Sequence, residues 1–328
     1  MPLTARSKEY VKKQVTRLLQ VSVVIPTRNR DEDLRELLHS VLRQTILPIE
    51  VTVVDDSDNL RTKILVERLR EGFSNKGILL KHVRGKEENR SISAARNLGA
   101  KESTGKIVLF MDDDVLPQMD YIERILEIYE EYPDAVGVQG NTNLYRGSVL
   151  GNAVNKVLFL FYTEKNRCGV HAGGLSFPSP LTRVIRSQWL SGINSSYRKE
   201  VLRDFEWDEN LKGYSLFDDA DISYRILKRY PNSLYTTPHA RILHKFSPVA
   251  RIKTRKWIYM HVAYSTYFFF KNMRQTPSNM IIFVWSMFFG RFVSMLLGKN
   301  RRSILFLISA YSYLIRNFNC TRNGNFAF

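Results

Sequence analysis

The chain has 328 residues, 44% of them hydrophobic and 12% aromatic, which is enough for one large or two ordinary packed domains and excludes a disordered chain. Its formal net charge of +17 is lopsided: all 32 Asp and Glu lie before Ile222, so the basic excess belongs wholly to the C-terminal third and points to an anionic partner, a membrane surface or a nucleic acid. Two cysteines, Cys168 and Cys320, are too few for a disulfide framework. The basic, polar stretch before Leu18 lacks an apolar leader core, so no secretory signal is expected.

In chain order, residues 1–20 contain Val11, Val15, Leu18 and Leu19 at helical spacing and predict a short basic amphipathic helix. The apolar run from Val21 to Ile25, stopped at Pro26, predicts a buried strand followed by the polar turn Thr27-Arg28-Asn29-Arg30. A helix should follow, capped at Asp31 or Asp33, because Leu34, Leu37, Leu38, Val41 and Leu42 recur on one face. Strands are expected from Glu50 to Val54 and from Ile78 to Val83, with a helix between them from Leu60 to Leu69. Ser91 to Ala100 reads as a helix whose start offers backbone N–H groups and whose Arg96 offers a fork of donors to phosphate; an ordinary surface arginine is the alternative.

Val108 to Met111 then runs straight into Asp112, Asp113 and Asp114, with Pro117 ending the stretch. The second strand also ends in acids, Asp55 and Asp56. Strands alternating with helices imply parallel pairing, which brings these carboxylates to one sheet edge, where ligands of open α/β sheets bind. Adjacent like charges repel, so a divalent cation is a natural partner for the Asp triplet, and oxygen donors suit Mn2+ or Mg2+. A solvated acidic turn is the alternative reading.

Taken together, Val23-Val24-Ile25-Pro26-Thr27-Arg28-Asn29-Arg30, Val53-Val54-Asp55-Asp56-Ser57, Ala95-Arg96-Asn97-Leu98-Gly99 and Leu109 to Asp114 resemble the nucleotide-sugar half of family 2 glycosyltransferases. The resemblance covers roughly residues 21–247. It implies an A-type glycosyltransferase fold, a mostly parallel central sheet flanked by helices, and a nucleoside-diphosphate-sugar donor that is UDP-, GDP- or TDP-linked. It places Pro26, Thr27, Arg28, Asn29, Asp55, Asp56, Arg96, Asp112 and Asp113 at the donor. Asp112 and Asp114 become the metal site, with Mn2+ or Mg2+ as cofactor.

Downstream, a helix is expected from Tyr121 to Tyr132 and a strand from Ala135 to Gly140, while Asn141 to Arg186 reads as loops on the acceptor side. Trp189, Gly192 and Asn194 lie in a segment that resembles the family's acceptor-sugar lining. Asp218-Asp219-Ala220-Asp221 resembles its acidic acceptor motif, although the family more often has Glu at the first position. The resemblance makes Asp219 the general base, puts Asp218 and Asp221 at the acceptor, and implies inversion at the anomeric carbon. For Asp218 and Asp221, charge at the start of a helix running from Asp221 to Tyr230 is the alternative. His244 matches a histidine that completes the metal shell in relatives; a structural histidine among apolar neighbours is the alternative.

The C-terminal third alternates basic clusters at 251–256, 271–274 and 299–302 with the aromatic stretch Ile258 to Phe270 and apolar stretches from Asn279 to Leu297 and from Ser303 to Ile315. This pattern predicts helices lying on an anionic leaflet, on the cytoplasmic face of the membrane, near a lipid-linked or polysaccharide acceptor. A single helical hairpin through the bilayer and a soluble helical unit are the alternatives. Nucleic acid is not expected, because long apolar stretches suit lipid better than a phosphate backbone. The domain division is therefore 1–20, a catalytic unit 21–248 with donor half 21–118 and acceptor half 119–248, and 249–328. A nucleotidyltransferase, or a basic membrane- or nucleic-acid-binding protein on this scaffold, is the competing function.

Overall fold

The computed structural model describes residues 19–85, 87–142, 149–174, 176–177, 180–249, 252–297 and 303–326. The expected N-terminal helix and the basic cluster at 299–302 lie outside them, apart from Leu19 and Gln20 at the end of the former.

Among the described residues nine strands form one mixed sheet: β1 Val21–Thr27, β2 Glu50–Asp55, β3 Leu79–Arg84, β4 Ile107–Phe110, β5 Val115–Pro117, β6 Gly137–Thr142, β7 Ile185–Ser187, β8 Ser195–Arg198 and β9 Leu234–His244. Helices α1 Asp31–Val41, α2 Arg61–Ser74, α3 Ile92–Glu102, α4 Tyr121–Glu131, α5 Val149–Val157 and α6 Asp218–Arg229 accompany it. Strands β1 to β4 are parallel throughout, in the order β3-β2-β1-β4, as alternating strands and helices require. Beyond β4 the sheet is mixed. β8 runs antiparallel between β4 and β6, β9 runs parallel to β6, and the two halves of β9 pair antiparallel with β7 and β5.

Both faces of the sheet are covered, so its strands are apolar on both sides. Val23, Ile25, Val53 and Leu109 pack with α1 and α4, whereas Val24, Val54, Val108 and Phe110 pack with α3 and α6. Pro26 sits inside a central strand at no cost to the ladder. The Val24 carbonyl accepts from Met111 N–H, so residue 26 faces the same side, just past the end of β4.

Two expectations shift. The acidic helix begins at Asp218, three residues before the expected Asp221, and the stretch expected as loops holds α5 and β7. Among the described residues three longer helices follow, α7 Thr254–Asn272, α8 Pro277–Leu297 with a π-type stretch over Trp285–Gly290, and α9 Ser303–Arg316, besides the short helices Val201–Asp204 and Phe318–Arg322. The aromatic run in α7 is interior. Phe268 packs with Trp189 and with Ala220 of α6, and Phe269 packs with Phe283, Met287 and Leu307 of α8 and α9. α8 is long and apolar enough to cross a membrane, and only 28% of its apolar stretch is buried.

Candidate active site

A cavity of about 390 Å³ opens at the C-terminal ends of β1, β2 and β4 and is lined by Pro26, Thr27, Arg28, Asp56 and the triplet Asp112, Asp113 and Asp114. Asp55 and Asp56 are neighbours at the end of β2, and alternation along a strand sends them opposite ways. Asp55 lies behind the wall, 2.9 Å from His82 Nε2 and accepting from Ser57 N–H at 2.9 Å. Asp56 lines the cavity. Burial raises its pKa to about 6 against the pull of Arg90, Arg28 and Arg84. A Cβ at Gly85 would stand 1.9 Å from Asp56 Oδ1, so the carboxylate's position requires glycine there. Asn29 also braces the wall and does not line it: its φ is 56°, its N–H donates to Ser57 Oγ, and its amide holds Asp58.

The three adjacent acids have three environments. Asp113 is buried, accepts from Thr27 Oγ1 at 2.8 Å and from Arg30 Nη1 at 2.9 Å, and burial pushes its pKa up to about 7 against those partners. Burial also works against the ionised Asp114, but the His244 contact at 3.1 Å, Arg30 and the Ser247 N–H outweigh it and hold the pKa below the usual value. Asp112 is partly exposed, with Arg96 Nη2 at 3.1 Å. Asp112, Asp114 and His244 offer three ligand atoms within 4.8 Å of one another. This set of two carboxylates and an imidazole fits Mn2+ well and Mg2+ acceptably.

Arg96 joins this cluster to the second acidic motif. It is buried in α3, its Nη1 donates to Asp218 Oδ2 at 2.6 Å, and its Nη2 donates to Asp112 Oδ1 and to the Gly192 carbonyl at 2.9 Å. A Cβ at Gly192 would lie 2.6 Å from Arg96 Nη2, so this close approach needs glycine. Gly192 N–H in turn donates to Asp219 Oδ2 at 3.1 Å, and Ala220 N–H donates to Asp219 Oδ1 at 2.7 Å. Burial raises the Asp219 pKa against these bonds and Arg96. Phe217, just before the helix, has φ 72°, a left-handed conformation that costs a non-glycine residue about 1–2 kcal/mol and turns the acids inward.

Asp219 and Trp189 line a second cavity of about 530 Å³, closed on its far side by α7, α8 and α9. The remaining expected acceptor residues lie elsewhere. Asp221 is buried against α7, where Asn272, Lys271 and Arg225 each hold it at 2.8 Å. Asn194 is tied into the sheet, its amide donating to the Gly140 carbonyl and its own carbonyl accepting from Tyr121. Four cationic residues that the sequence did not single out for the site complete the first cavity: Arg30, Arg90, Lys253 and Lys256. Only the basic turn around Arg28 hinted at the first of them.

Residues 22–190 match the family described as Glycosyl transferase family 2. Over 124 residues the chain is 36% identical to the glucosyl-dolichyl phosphate glucuronosyltransferase of Haloferax volcanii, covering 37% of this chain and 38% of that protein. It is 25% identical over 199 residues to the minor teichoic acid biosynthesis protein GgaB of Bacillus subtilis, covering 58% of this chain and 19% of that one. The match thus spans well under half of these relatives. Among solved structures, the mannosyltransferase PcManGT of Pyrobaculum calidifontis in complex with GDP-Man and Mn2+ superposes with a TM-score of 0.55 at 17% identity, covering 97% of this chain and 92% of that chain. S. aureus TarS 1-349 superposes at 0.53 and 18% identity, covering 93% and 88%. The fold is the A-type glycosyltransferase fold.

Proposed function

The chain belongs to glycosyl transferase family 2, and from that premise we propose that it moves a sugar from a nucleoside diphosphate to a hydroxyl of a membrane-proximal acceptor, a lipid-linked glycan or a polysaccharide. One observation carries the reading. The Arg96 guanidinium spans Asp112 and Asp218, so the metal-type cluster and Asp219 stand on either side of one buried side chain, each facing its own cavity.

In this reading the first cavity takes the donor. Asp56 bonds the nucleobase, while Arg28 and Thr27 border the nucleotide and Lys253 and Lys256 attract its phosphates. Asp112, Asp114 and His244 would hold a divalent ion there, and its chemistry would be that of a Lewis acid countering charge on the departing diphosphate. The GDP-Man and Mn2+ bound by PcManGT support this assignment.

The second cavity takes the acceptor against Trp189. Asp219, oriented by Gly192 N–H, removes the proton as the acceptor hydroxyl attacks, a contribution of about 10²–10⁴ in rate. Its pKa, raised by burial, makes it a better proton acceptor than an exposed aspartate. With Asp219 as the base, attack on the face opposite the departing diphosphate would invert the anomeric carbon. Arg96 is a positioning residue that keeps Asp112 and Asp218 fixed and charge-balanced.

The acceptor is brought by a membrane surface. Ile281, Leu297, Leu305 and Ile315 are each 70–72% exposed on α8 and α9, and Val149 and Leu150 are more exposed still on α5. Phe283, Met287 and Arg291 are buried against the rest of the protein, which supports α8 lying along a leaflet in place of standing alone in lipid. A panel of nucleotide sugars offered with Mn2+ or Mg2+ tests the reading: one donor should release nucleoside diphosphate in a metal-dependent way, and no release or binding across the panel by folded protein overturns it.

A further inference from the structure

The acceptor-side cavity contains a charge that the mechanism above does not use. Its wall is largely apolar, with Leu160, Phe161, Phe217, Ile258 and Leu307 among its residues, yet α8 places Arg291 in it at 7% exposure. Arg291 Nη2 donates to Ser265 Oγ at 2.9 Å, and its Nε has no partner. Among the described residues no carboxylate pairs with it. The other deeply buried arginine, Arg96, shows what the fold does elsewhere, since it has Asp218 and Asp112 on its two nitrogens. A guanidinium keeps its proton in a protein, so burying one without a counter-charge is costly unless something supplies the charge. His261 in the same wall cannot, because an imidazole is either neutral or cationic, and burial together with Arg291 keeps this one neutral.

Resting on the glycosyl-transfer reading, we propose that Arg291 receives the phosphate of an acceptor in which a phosphodiester joins a sugar to a long apolar chain. The geometry asks three things of the acceptor. It must present a hydroxyl to Asp219, an anion to Arg291 and an apolar segment to the wall between them and the surface. A phosphodiester joins two groups and keeps its negative charge, whereas a carboxylate loses its charge when it is esterified. The chain has an exit, because Phe161 and Trp257 belong to the wall and are themselves 47% and 39% exposed. The forked donors of arginine suit phosphate oxygens, and in an apolar cavity that pairing is little screened.

Calorimetric titration of the full chain with farnesyl phosphate, farnesol, dodecanoate and inorganic phosphate, without donor, tests this. Farnesyl phosphate should bind at least about tenfold more tightly than each of the others, Arg291→Met should erase that advantage, and Arg291→Lys should keep part of it. Farnesyl phosphate binding no tighter than farnesol overturns the proposal. So does dodecanoate or inorganic phosphate that matches it, or undiminished binding by a folded Arg291→Met protein. If Arg291→Met fails to fold, the wild-type comparison decides alone. Donor turnover is measured separately, so a lack of prenyl-phosphate binding leaves the glycosyl-transfer reading standing, and a lack of turnover leaves the binding result standing.

Discussion

Arg96 Nη1 donates to Asp218 Oδ2 at 2.6 Å across 122 residues of sequence, with both side chains buried. The same guanidinium holds Asp112, so one side chain balances a carboxylate from each half of the site. Arg96→Met strands both acids and should cost about 3–5 kcal/mol of stability together with nearly all turnover. Adding Asp218→Asn should recover part of the stability and none of the turnover, which urea unfolding alongside an activity assay measures.

Asp56 predicts a pH-dependent trade between stability and binding. Burial raises its pKa from 3.8 to about 6, so the native state holds the proton more tightly than the unfolded chain does. Its favourable contribution is therefore complete below about pH 4 and is lost as pH rises through 6. Asp56→Asn should raise stability at pH 7.5 by on the order of 1–3 kcal/mol, change it little at pH 4, and weaken nucleotide binding. Melting temperatures across that range, with nucleotide titrations at pH 7.5, check both halves.

Asp221 and Asp219 separate structure from chemistry. Asp221 anchors α6 to α7 through Lys271 and Asn272, so Asp221→Asn should lower the melting temperature and leave kcat nearly unchanged in protein that remains folded. A large fall in kcat at full fold would place Asp221 in the site after all.

These contrasts mark how far the sequence reaches. The strands of the donor half and the Asp triplet were readable because apolar runs ending in acids can be read locally. The choice between Asp55 and Asp56 was not readable, since both end the same strand and only the packing of His82 and Gly85 decides which one faces the cavity. The start of α6 was misplaced because Phe217 adopts a left-handed turn that no local propensity announces. The aromatic run in α7 looked membrane-facing because it is apolar all round, which is equally what a helix buried between two layers requires. Arg96 could be singled out as a phosphate-directed arginine, but its span from Asp112 to Asp218 was not legible, and neither was the missing carboxylate at Arg291, because both are set by residues far away in the chain.

The exposed apolar residues of α8 and α9 predict binding to vesicles of phosphatidylglycerol and phosphatidylcholine, weaker on phosphatidylcholine alone and weaker in high salt. Leu297→Glu combined with Leu305→Glu should reduce flotation with such vesicles while leaving the melting temperature unchanged. Equal flotation of both proteins would remove α8 and α9 from the membrane contact.

The most direct test of the two-cavity account compares Asp114→Ala and Asp219→Asn on the one donor that wild type turns over. Asp114→Ala should abolish both metal-dependent donor hydrolysis and transfer. Asp219→Asn should retain donor hydrolysis and lose about 10²–10⁴ of transfer to acceptor in membrane extract. Transfer at the wild-type rate by folded Asp219→Asn protein would contradict the assignment of the base and, with it, the division of labour across Arg96.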